Sequence, residues 1–452
     1  MNLTKEITRA VKLLKKHKND KVHLISHLDA DGISSAGIMS KTLDREAIEH
    51  EISIVKLNKI KDTLDDSELT IFTDLGSGQL PMLNKEMKKE YIIMDHHIPQ
   101  GKTEYHINPN LFGIDGSREV SGAGLSYFFS RNLGNKDLVD LAIVGAVGDM
   151  QNFWGRMEGL NQIILKEGIK NKRIKMEKNL LLYGRETRPV YKSLQYFSDP
   201  VIPGVTGDES SSIALLRRLG IDLKENERWR TLSDLSFEER KRLATEIIAK
   251  CSSSIPKELA KFLSSLVIGE TYTLLNEEEG TPLRDASEYS TCLNATGRND
   301  EAEIGVEIAK GNRGVYYDVL MGLLKKHRRK IAESIERVES ITQREYIQFF
   351  KADISDNIIG TIAGMLLGTK ADPYKPLIGI ADSDNSLKIS VRCSKLLVLK
   401  GVNMAKAIIK AAEAVDGEGG GHAPACGAYI PKNTLNEFLD IFEEEVKKQL
   451  ET

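Results

Sequence analysis

The chain has 452 residues, with 63 basic and 66 acidic side chains and a formal net charge of -3. This length exceeds one typical hydrophobic core and predicts two or more domains, and the near balance of charge excludes a global positive field, so any affinity for nucleic acid must come from a local groove. No run approaches the roughly 18 apolar residues of a membrane span, and Cys251, Cys292, Cys393 and Cys426 form no C-x-x-C pair, which predicts reduced thiols in a cytoplasm rather than a disulfide framework or structural zinc.

In chain order, Leu3, Ile7, Val11 and Leu14 fall at helical spacing among charged residues. That pattern predicts a packing helix rather than a signal peptide. Apolar, β-branched runs follow at 22–26, 69–73 and 91–94, separated by helix-like stretches such as 32–45, and they read as buried parallel strands. Helices are expected over 122–133 and 137–150; the second is apolar almost all round, so it is buried, and it delivers Asp149 at its C-terminal end, where the last carbonyls favour a cation. From about 153 to 285 charged, helix-like stretches are broken by Asp199-Pro200, Ile202-Pro203-Gly204 and 252–256, which predicts a mostly helical insertion. A long helix is expected from about 315 to 341, carrying Lys325-Lys326-His327-Arg328-Arg329-Lys330, a run that reads first as a solvated helix face and second as a phosphate track. A final α/β unit begins near Tyr346, with strands at 377–381 and 386–393, and ends in Gly419-Gly420-Gly421-His422-Ala423-Pro424-Ala425-Cys426-Gly427, whose glycines let backbone N–H groups face an anion. The predicted class is α/β: a parallel-sheet domain over 1–312 with the insertion at about 153–285, a connecting helix at 313–345, and a smaller α/β domain over 346–452.

The chemistry gathers at the strand ends. His27-Leu28-Asp29-Ala30-Asp31-Gly32, Asp74-Leu75-Gly76 and Asp95-His96-His97 each directly follow one of the first three apolar runs. In open α/β sheets that edge is where sites form, so segments distant in sequence converge there. Carboxylates with neutral imidazoles suit Mn²⁺, and there are too many for one ion, which points to a two-metal phosphoester hydrolase. An EF-hand loop counted from His27 would need Glu at its twelfth position and finds Ile38. A haloacid-dehalogenase-like phosphatase also opens on strand-D-x-D-G, but here His27-Leu28 intervene, and that scheme leaves Asp74 and Asp95-His96-His97 without a role. Singly, Asp74 reads as a helix cap and His96 or His97 as a loop residue. Repetition at three successive strand ends argues against coincidence.

These motifs, with Gly148-Asp149 and the glycine-histidine stretch near the other end of the chain, resemble the DHH phosphoesterase superfamily. Asn294-Ala295-Thr296-Gly297-Arg298 is similar to a stretch of RecJ-type exonucleases, and Gly184-Arg185-Glu186-Thr187-Arg188-Pro189 resembles the archaeal RecJ-like branch, the GINS-associated nuclease type. The Gly420-Gly421-His422 motif separates the chain from the manganese pyrophosphatases of the superfamily. The resemblance implies a DHH catalytic domain, a DHH-associated substrate-binding domain and two divalent cations, Mn²⁺ first, with Mg²⁺ or Co²⁺ as alternates. By the family pattern one ion takes His27, Asp29 and Asp74, and the other takes Asp31, Asp74, His96 and Asp149. Two cations about 3.5–4 Å apart can stabilise both the attacking and the leaving oxygen of an in-line displacement. His97 is implied to donate to the scissile phosphate and Asp95 to orient a histidine, while Arg298, Ser390 and Arg392, with the loop Gly420-Gly421-His422, are implied to grip the strand end.

The implied activity is a single-strand-specific exonuclease that releases nucleoside monophosphates from single-stranded DNA, RNA or both, in DNA replication or repair or in RNA turnover. A phosphodiesterase for short oligonucleotides, like the nanoRNases, is the catalytic alternative; a replication scaffold is the non-catalytic one, disfavoured because every expected ligand is present. GINS is a candidate partner, and no additional oligonucleotide-binding barrel follows the glycine motif as in bacterial RecJ. Polarity, sugar preference and oligomeric state have no signature in the sequence.

Overall fold

Val22, Leu24, Ile25, Ile71, Phe72, Ile92 and Ile93 are fully buried, as strands covered on both faces require. They belong to a five-stranded parallel sheet of β1 (Val22–His27), β2 (His50–Val55), β3 (Leu69–Thr73), β4 (Glu90–Met94) and β5 (His106–Ile107), in the order β2-β1-β3-β4-β5. The computed structural model describes residues 2–383 and 385–451. They fall into two units: residues up to 179 with 269–325, and residues 180–268 with those from 326 onward.

Register in the first unit explains how the candidate ligands meet. Ser26 pairs with Thr73, Thr73 with Met94, and Met94 with Ile107. The next residue of each strand along that row is therefore His27, Asp74, Asp95 and Asn108. Strand order also reverses at β1, whose neighbours β2 and β3 lie on opposite sides, the switch point at which open α/β sheets form a crevice.

Helices Ala30–Arg45, Gly122–Arg131, Val139–Gly148, Ala286–Arg298 and Ala302–Ala309 complete the core of this unit. The first begins two residues before the expected start, because Asp29 caps it. As its all-round apolar sequence predicts, Val139–Gly148 is buried along almost its whole length. A Cβ on Gly37 would stand 2.5 Å from the Cβ of Ala309, so the helices Ala30–Arg45 and Ala302–Ala309 meet at van der Waals limits.

The stretch expected to be mostly helical also holds two paired strands, Ile174–Leu180 and Ile268–Leu274. Lys175, Met176 and Lys178 of the first strand are exposed, and that solvated, charged stretch reads as helix in the sequence. Between these strands the helices Val190–Gln195, Glu209–Arg218 and Phe237–Ser252 enclose a core of their own with Leu194, Leu216, Leu243 and Ile247, which Leu396 from the C-terminal segment joins.

The second unit contains a six-stranded sheet of β6 (Thr342–Gln343), β7 (Gln348–Lys351), β8 (Leu377–Ser383), β9 (Ser386–Arg392), β10 (Glu418–Gly421) and β11 (Ala425–Pro431), in the order β6-β7-β8-β9-β11-β10. Only β7 and β8 pair in parallel. One face packs on helices Met404–Glu413 and Leu435–Glu451, and the other on Ile359–Leu366. The long helix Val315–Glu336 carries the chain between the units and stops short of the expected 341. Val338 instead turns into the core with Ile354 and Ile358, and Ile341 leads into β6. Lys325, Lys326, Arg328 and Arg329 are exposed while His327 is buried, and Arg329 pairs with Glu333 at 2.7 Å, the pattern of a solvated helix face. Among the described residues no helix is long and apolar enough to cross a membrane, and all four cysteines are buried thiols.

Gly37→Val should overpack the contact with Ala309 and destabilise the protein by about 1–3 kcal/mol. Urea unfolding should show this as a lower midpoint with an unchanged slope; an unchanged midpoint would mean that the helix pair yields freely.

Candidate metal centre

Asp74 occupies the centre of the row. Its φ of +58° is a left-handed conformation, uncommon outside glycine, and its N–H donates to the Met94 carbonyl at 2.9 Å, so the strand end turns abruptly and aims the carboxylate into the fold. The side chain is 1% exposed. Among the described residues neither carboxylate oxygen accepts a hydrogen bond of ordinary geometry; the facing atoms are His96 Nε2 at 3.2 Å from Oδ1 and His27 Nδ1 at 3.7 Å from Oδ2. A buried carboxylate left in this way costs several kcal/mol unless a cation faces it.

Two groups of donors converge on Asp74. In the first, Asp29 caps helix Ala30–Arg45 by accepting from Gly32 N at 3.0 Å, and its other oxygen lies 2.9 Å from His27 Nδ1. In the second, the carboxylate of Asp31 sits at the N-terminus of helix Gly122–Arg131, accepting from Gly122 N at 2.6 Å and Ala123 N at 3.0 Å, where the helix dipole supports negative charge. Any Cβ on Gly122 would fall 2.7 Å from that of Asp74, and one on Gly145 would fall 2.3 Å from Asp31 Oδ1, so these glycines make the room in which the carboxylates sit. His96 lies 2.7 Å from the Gly116 carbonyl through Nδ1, which assigns the proton to Nδ1 and turns Nε2 toward Asp74, Asp149 at 3.6 Å and Asp31 at 3.7 Å. His27, Asp29 and Asp74 form one set of ligand atoms within 4.8 Å of one another, and Asp31, Asp74 and His96 form another. Asp149, at the C-terminal end of helix Val139–Gly148, borders the second set.

Asp74, Asp95 and His97 meet the same distance criterion, but Asp95 is already engaged. It accepts from Ser77 N at 2.8 Å and His97 N at 3.1 Å, and lies 2.7 Å from His97 Nδ1. Asp95 therefore fixes the ring of His97, which is 37% exposed.

Sequence reasoning missed a ring of amides behind these groups. Gln151 donates to Asp149 Oδ2 at 2.9 Å and to the Gly116 carbonyl at 3.0 Å, and Asn161 donates to Gln151 at 2.5 Å. Asn108 donates to the His97 carbonyl and Asn110 to the His96 carbonyl, at 2.8 and 2.9 Å. Asn108-Pro109-Asn110 follows β5 in the same row as the other strand ends, but that strand is only two residues long and leaves no apolar run in the sequence to mark it. Asn294 accepts from Ala30 N at 3.0 Å, and a Cβ on Gly297 would stand 1.9 Å from the Leu28 carbonyl, so helix Ala286–Arg298 braces the loop that carries His27 and Asp29. Arg298 is the last residue of that helix.

Burial works against charge on His27, but Asp29 and Asp74 outweigh it and hold the imidazole pKa well above its usual value. His96 is raised in the same way by Asp149, Asp74 and Asp31 against its burial. Burial and then the neighbouring Asp74 push the Asp31 carboxyl upward. Despite burial, His27 and His97 respectively draw Asp29 and Asp95 below the carboxylate range. The cluster thus demands positive charge, which protons supply in part and a divalent cation supplies more fully. Residue types, burial and the unsatisfied Asp74 all fit such ions, with His27, Asp29 and Asp74 able to hold one and Asp31, Asp74, His96 and Asp149 the other.

Ser390, Arg392, Gly420, Gly421 and His422 lie together in the second unit. Ser390 pairs with Gly427 and Gly427 with Gly420, Gly421 pairs with Cys426, and Arg392 pairs with Ala425. His422 N–H donates to the Ala425 carbonyl at 2.9 Å and closes the β10–β11 hairpin. Ser390 Oγ and Arg392 Nη2 both border Gly360 in the first turn of helix Ile359–Leu366, at 3.3 and 2.5 Å from where its Cβ would stand. Burial lowers the Arg392 pKa.

Residues 21–146 match the DHH family, N-terminal domain, residues 182–263 the DHH-CID domain, and residues 343–448 the DHHA1 domain. An uncharacterized protein of Methanocaldococcus jannaschii is 31% identical over 468 aligned residues, covering 100% of this chain and 99% of that protein. Among solved structures, RecJ in complex with Mn²⁺ from Thermus thermophilus superposes with a TM-score of 0.60 at 17% identity, over 98% of this chain and 55% of that one, so this chain spans about half the length of that RecJ. CDC45 from Entamoeba histolytica gives 0.60 at 12% identity, over 96% and 98% of the two chains.

The raised histidines define a pH signature. A pKa higher in the folded than in the unfolded chain contributes stability that is full below about pH 6.5, the unfolded value, and is lost as pH rises through the folded one. Metal-stripped protein should therefore melt at a lower temperature near pH 9 than near pH 6, and Mn²⁺ should raise the melting temperature most at the alkaline end, where it no longer competes with protons. A flat profile, or a Mn²⁺ effect that shrinks with rising pH, would contradict the assignment. Gln151→Ala should weaken Mn²⁺ binding by about 10–100-fold through loss of its hold on Asp149, as read by metal titration; unchanged affinity would remove Gln151 from the site.

Proposed function

We propose that this chain, which belongs to the DHH family and has a RecJ-like fold, is a metal-dependent exonuclease specific for single strands, hydrolysing phosphodiester bonds of DNA, RNA or both from an end to release nucleoside monophosphates. The observation that carries this reading is the buried, unsatisfied Asp74 carboxylate shared by two sets of carboxylate and imidazole donors. Divalent cations held there would neutralise the phosphodiester and stabilise charge on the entering and leaving oxygens. Mn²⁺ suits the mixed donor set, and Mg²⁺ and Co²⁺ are alternates.

The protein's own groups supply the rest. His97, held by Asp95 at 2.7 Å and partly exposed, is positioned to donate from Nε2 to a non-bridging phosphate oxygen. Asp95 and the Asn108 and Asn110 amides keep that ring and its backbone from swinging. Backbone N–H groups of Gly122 and Ala123 hold Asp31 without consuming a cationic side chain, which would leave the charge of bound ions for the substrate. Arg392 and Ser390, with the glycine-histidine hairpin beside them, would hold the strand terminus, a task for which a guanidinium is suited by its paired N–H donors; Arg298 is assigned to the same task from the family resemblance. A grip on a strand terminus favours removal of end nucleotides over internal cleavage.

A short-oligonucleotide phosphodiesterase would use the same centre and would stall as strands lengthen. GINS, implied by the resemblance to the archaeal RecJ-like branch, is the candidate partner. Purified protein with Mn²⁺ and strands of matched DNA and RNA sequence, labelled at each end in turn, tests the reading. Release of mononucleotides from one end of long strands is expected, and the labelled end gives the polarity. Confinement of activity to strands of a few nucleotides would replace the exonuclease with the alternative, and inactivity on every strand would overturn both. Asp74→Ala should abolish turnover, by about 10³-fold or more, while melting close to the wild type; substantial residual activity would refute the shared-ligand centre.

A further inference from the structure

The insertion carries a row of aromatic rings interleaved with cations that has no part in the metal centre. It begins at the Gly184-Arg185-Glu186-Thr187-Arg188-Pro189 stretch. Gly184 takes a φ of +89° and its carbonyl accepts from Arg188 N at 3.1 Å, so the chain turns back and the Arg188 guanidinium lies over the Tyr183 ring, 4.7 Å from its centroid. A Cβ on Gly184 would stand 2.4 Å from that of Arg188, and the left-handed turn needs glycine there. The same guanidinium lies 5.3 Å from the Tyr196 centroid. In helix Val190–Gln195, the Lys192 ammonium lies 5.6 and 5.9 Å from the Tyr191 and Tyr196 rings, and Glu209 pairs with it, so Lys192 braces the rings with its charge already met.

Tyr191 continues the row onto a hairpin. Its ring centroid is 5.1 Å from that of Trp229, and Val190 N–H donates to the Arg230 carbonyl at 3.0 Å. Lys224–Glu225 and Arg228–Trp229 pair antiparallel about Asn226 and Glu227, both at positive φ, as a tight two-residue turn requires. Lys224 stands directly opposite Trp229, and its ammonium lies 4.9 Å from the indole ring centroid. The ion pair of Lys224 with Glu227, at 3.7 Å and with Glu227 98% exposed, is a weak one. Tyr196 and Trp229 remain 48% and 40% exposed. Trp229 borders an open hollow of about 460 Å³, together with Arg217, Gly220, Asp222 and Lys224, and a Cβ on Gly220 would meet no atom within 4 Å.

We infer that this row is a second site for single-stranded nucleic acid, in which bases stack on Trp229 and Tyr196 while Lys224, Arg217 and Arg188 take the phosphates between them. A single strand offers alternating π-faces and charges, and rings with cations between them are its complement; lysine, by contrast, is depleted in the cores of protein interfaces. The hollow has the size of small-ligand sites, about 300–1,000 Å³, so a base can lie against the part of Trp229 that Tyr191 and Lys224 leave uncovered. Among the residues lining it, Asp222 is the one carboxylate against the two cations Arg217 and Lys224. The inference rests on the proposed exonuclease reading for the class of its ligand and adds to it a strand site on the insertion.

The chain has two tryptophans, Trp154 and Trp229, so in the Trp154→Phe protein indole emission comes from Trp229 alone. Titration of that full-length variant with 20-nucleotide oligo(dT) and oligo(rU) in EDTA, where no turnover occurs, should quench the emission in step with binding followed by the anisotropy of a label on the strand. Trp229→Ala and Tyr196→Ala should each weaken binding by about five-fold or more, and Trp229→Phe should retain most of the affinity. Lys224→Gln should make the dependence of log affinity on log salt shallower by about 0.7, with a melting temperature near the wild type. Unchanged emission at saturating strand would overturn the inference and leave the row as a protein-docking or purely structural one, and full affinity in Trp229→Ala would overturn it equally. Quenching in a protein that hydrolyses no strand would uphold the site and defeat only the exonuclease reading, whereas hydrolysis without quenching would do the reverse.

Discussion

Mutual repulsion among buried carboxylates is the constraint that shapes the first unit. Asp29, Asp31 and Asp74 supply ligand atoms within 4.8 Å of their set-mates, and Asp149 stands beside them. At that separation two unit charges repel by about 3–4 kcal/mol for an effective dielectric constant of about 20, and the burial of Asp31 and Asp74 removes the water that would relieve them. Much of the surrounding architecture acts against that repulsion. One helix N-terminus receives Asp31, Asp29 caps another, two imidazoles turn their charge toward the carboxylates, and glycines at 122 and 145 admit the side chains where a methyl group would not fit. What remains unsatisfied is concentrated on Asp74, the one carboxylate common to both donor sets.

The sheet makes this concentration possible. Because β1, β3, β4 and β5 are parallel and in register, their chains leave the sheet in one row, and a short step past the last paired residue brings His27, Asp74, Asp95 and Asn108 side by side. The amides then lock the row. Asn108 and Asn110 hold the His96 and His97 carbonyls, and Gln151 ties Asp149 to the carbonyl that also fixes His96. The second unit is built differently. There the antiparallel ladder alternates core residues with Lys388, Ser390 and Arg392, and Ser390 faces Gly427, which in turn faces Gly420.

The three central strands β1, β3 and β4 were legible in the sequence because they are short apolar runs, each followed at once by ligand-type residues, and the α/β class follows from their alternation with helices; β2, partly exposed, and β5, two residues long, left no such mark. The convergence of the acidic and histidine motifs was legible for the same reason, since strand ends share an edge. The supporting amides were not, because Asn108, Asn110 and Gln151 are ordinary loop residues until the carbonyls they serve are known. The strand Ile174–Leu180 was hidden by the exposed Lys175 and Lys178, and its partner Ile268–Leu274 with it. The shared core of Leu396 with Leu194 and Leu216, residues far apart along the chain, leaves no periodic trace at all. Helix Val315–Glu336 ended early because Val338 found a place in the core, a tertiary preference that helical spacing does not encode.

Electron paramagnetic resonance during titration of metal-stripped protein with Mn²⁺ tests the central claim most directly, since it counts the ions and reports whether they share a ligand. Two Mn²⁺ per chain with an exchange-coupled spectrum are expected for the wild type, and an uncoupled spectrum, with at most one tightly bound ion, for Asp74→Ala. A single uncoupled ion in the wild type, or coupling that survives the loss of Asp74, would contradict the account.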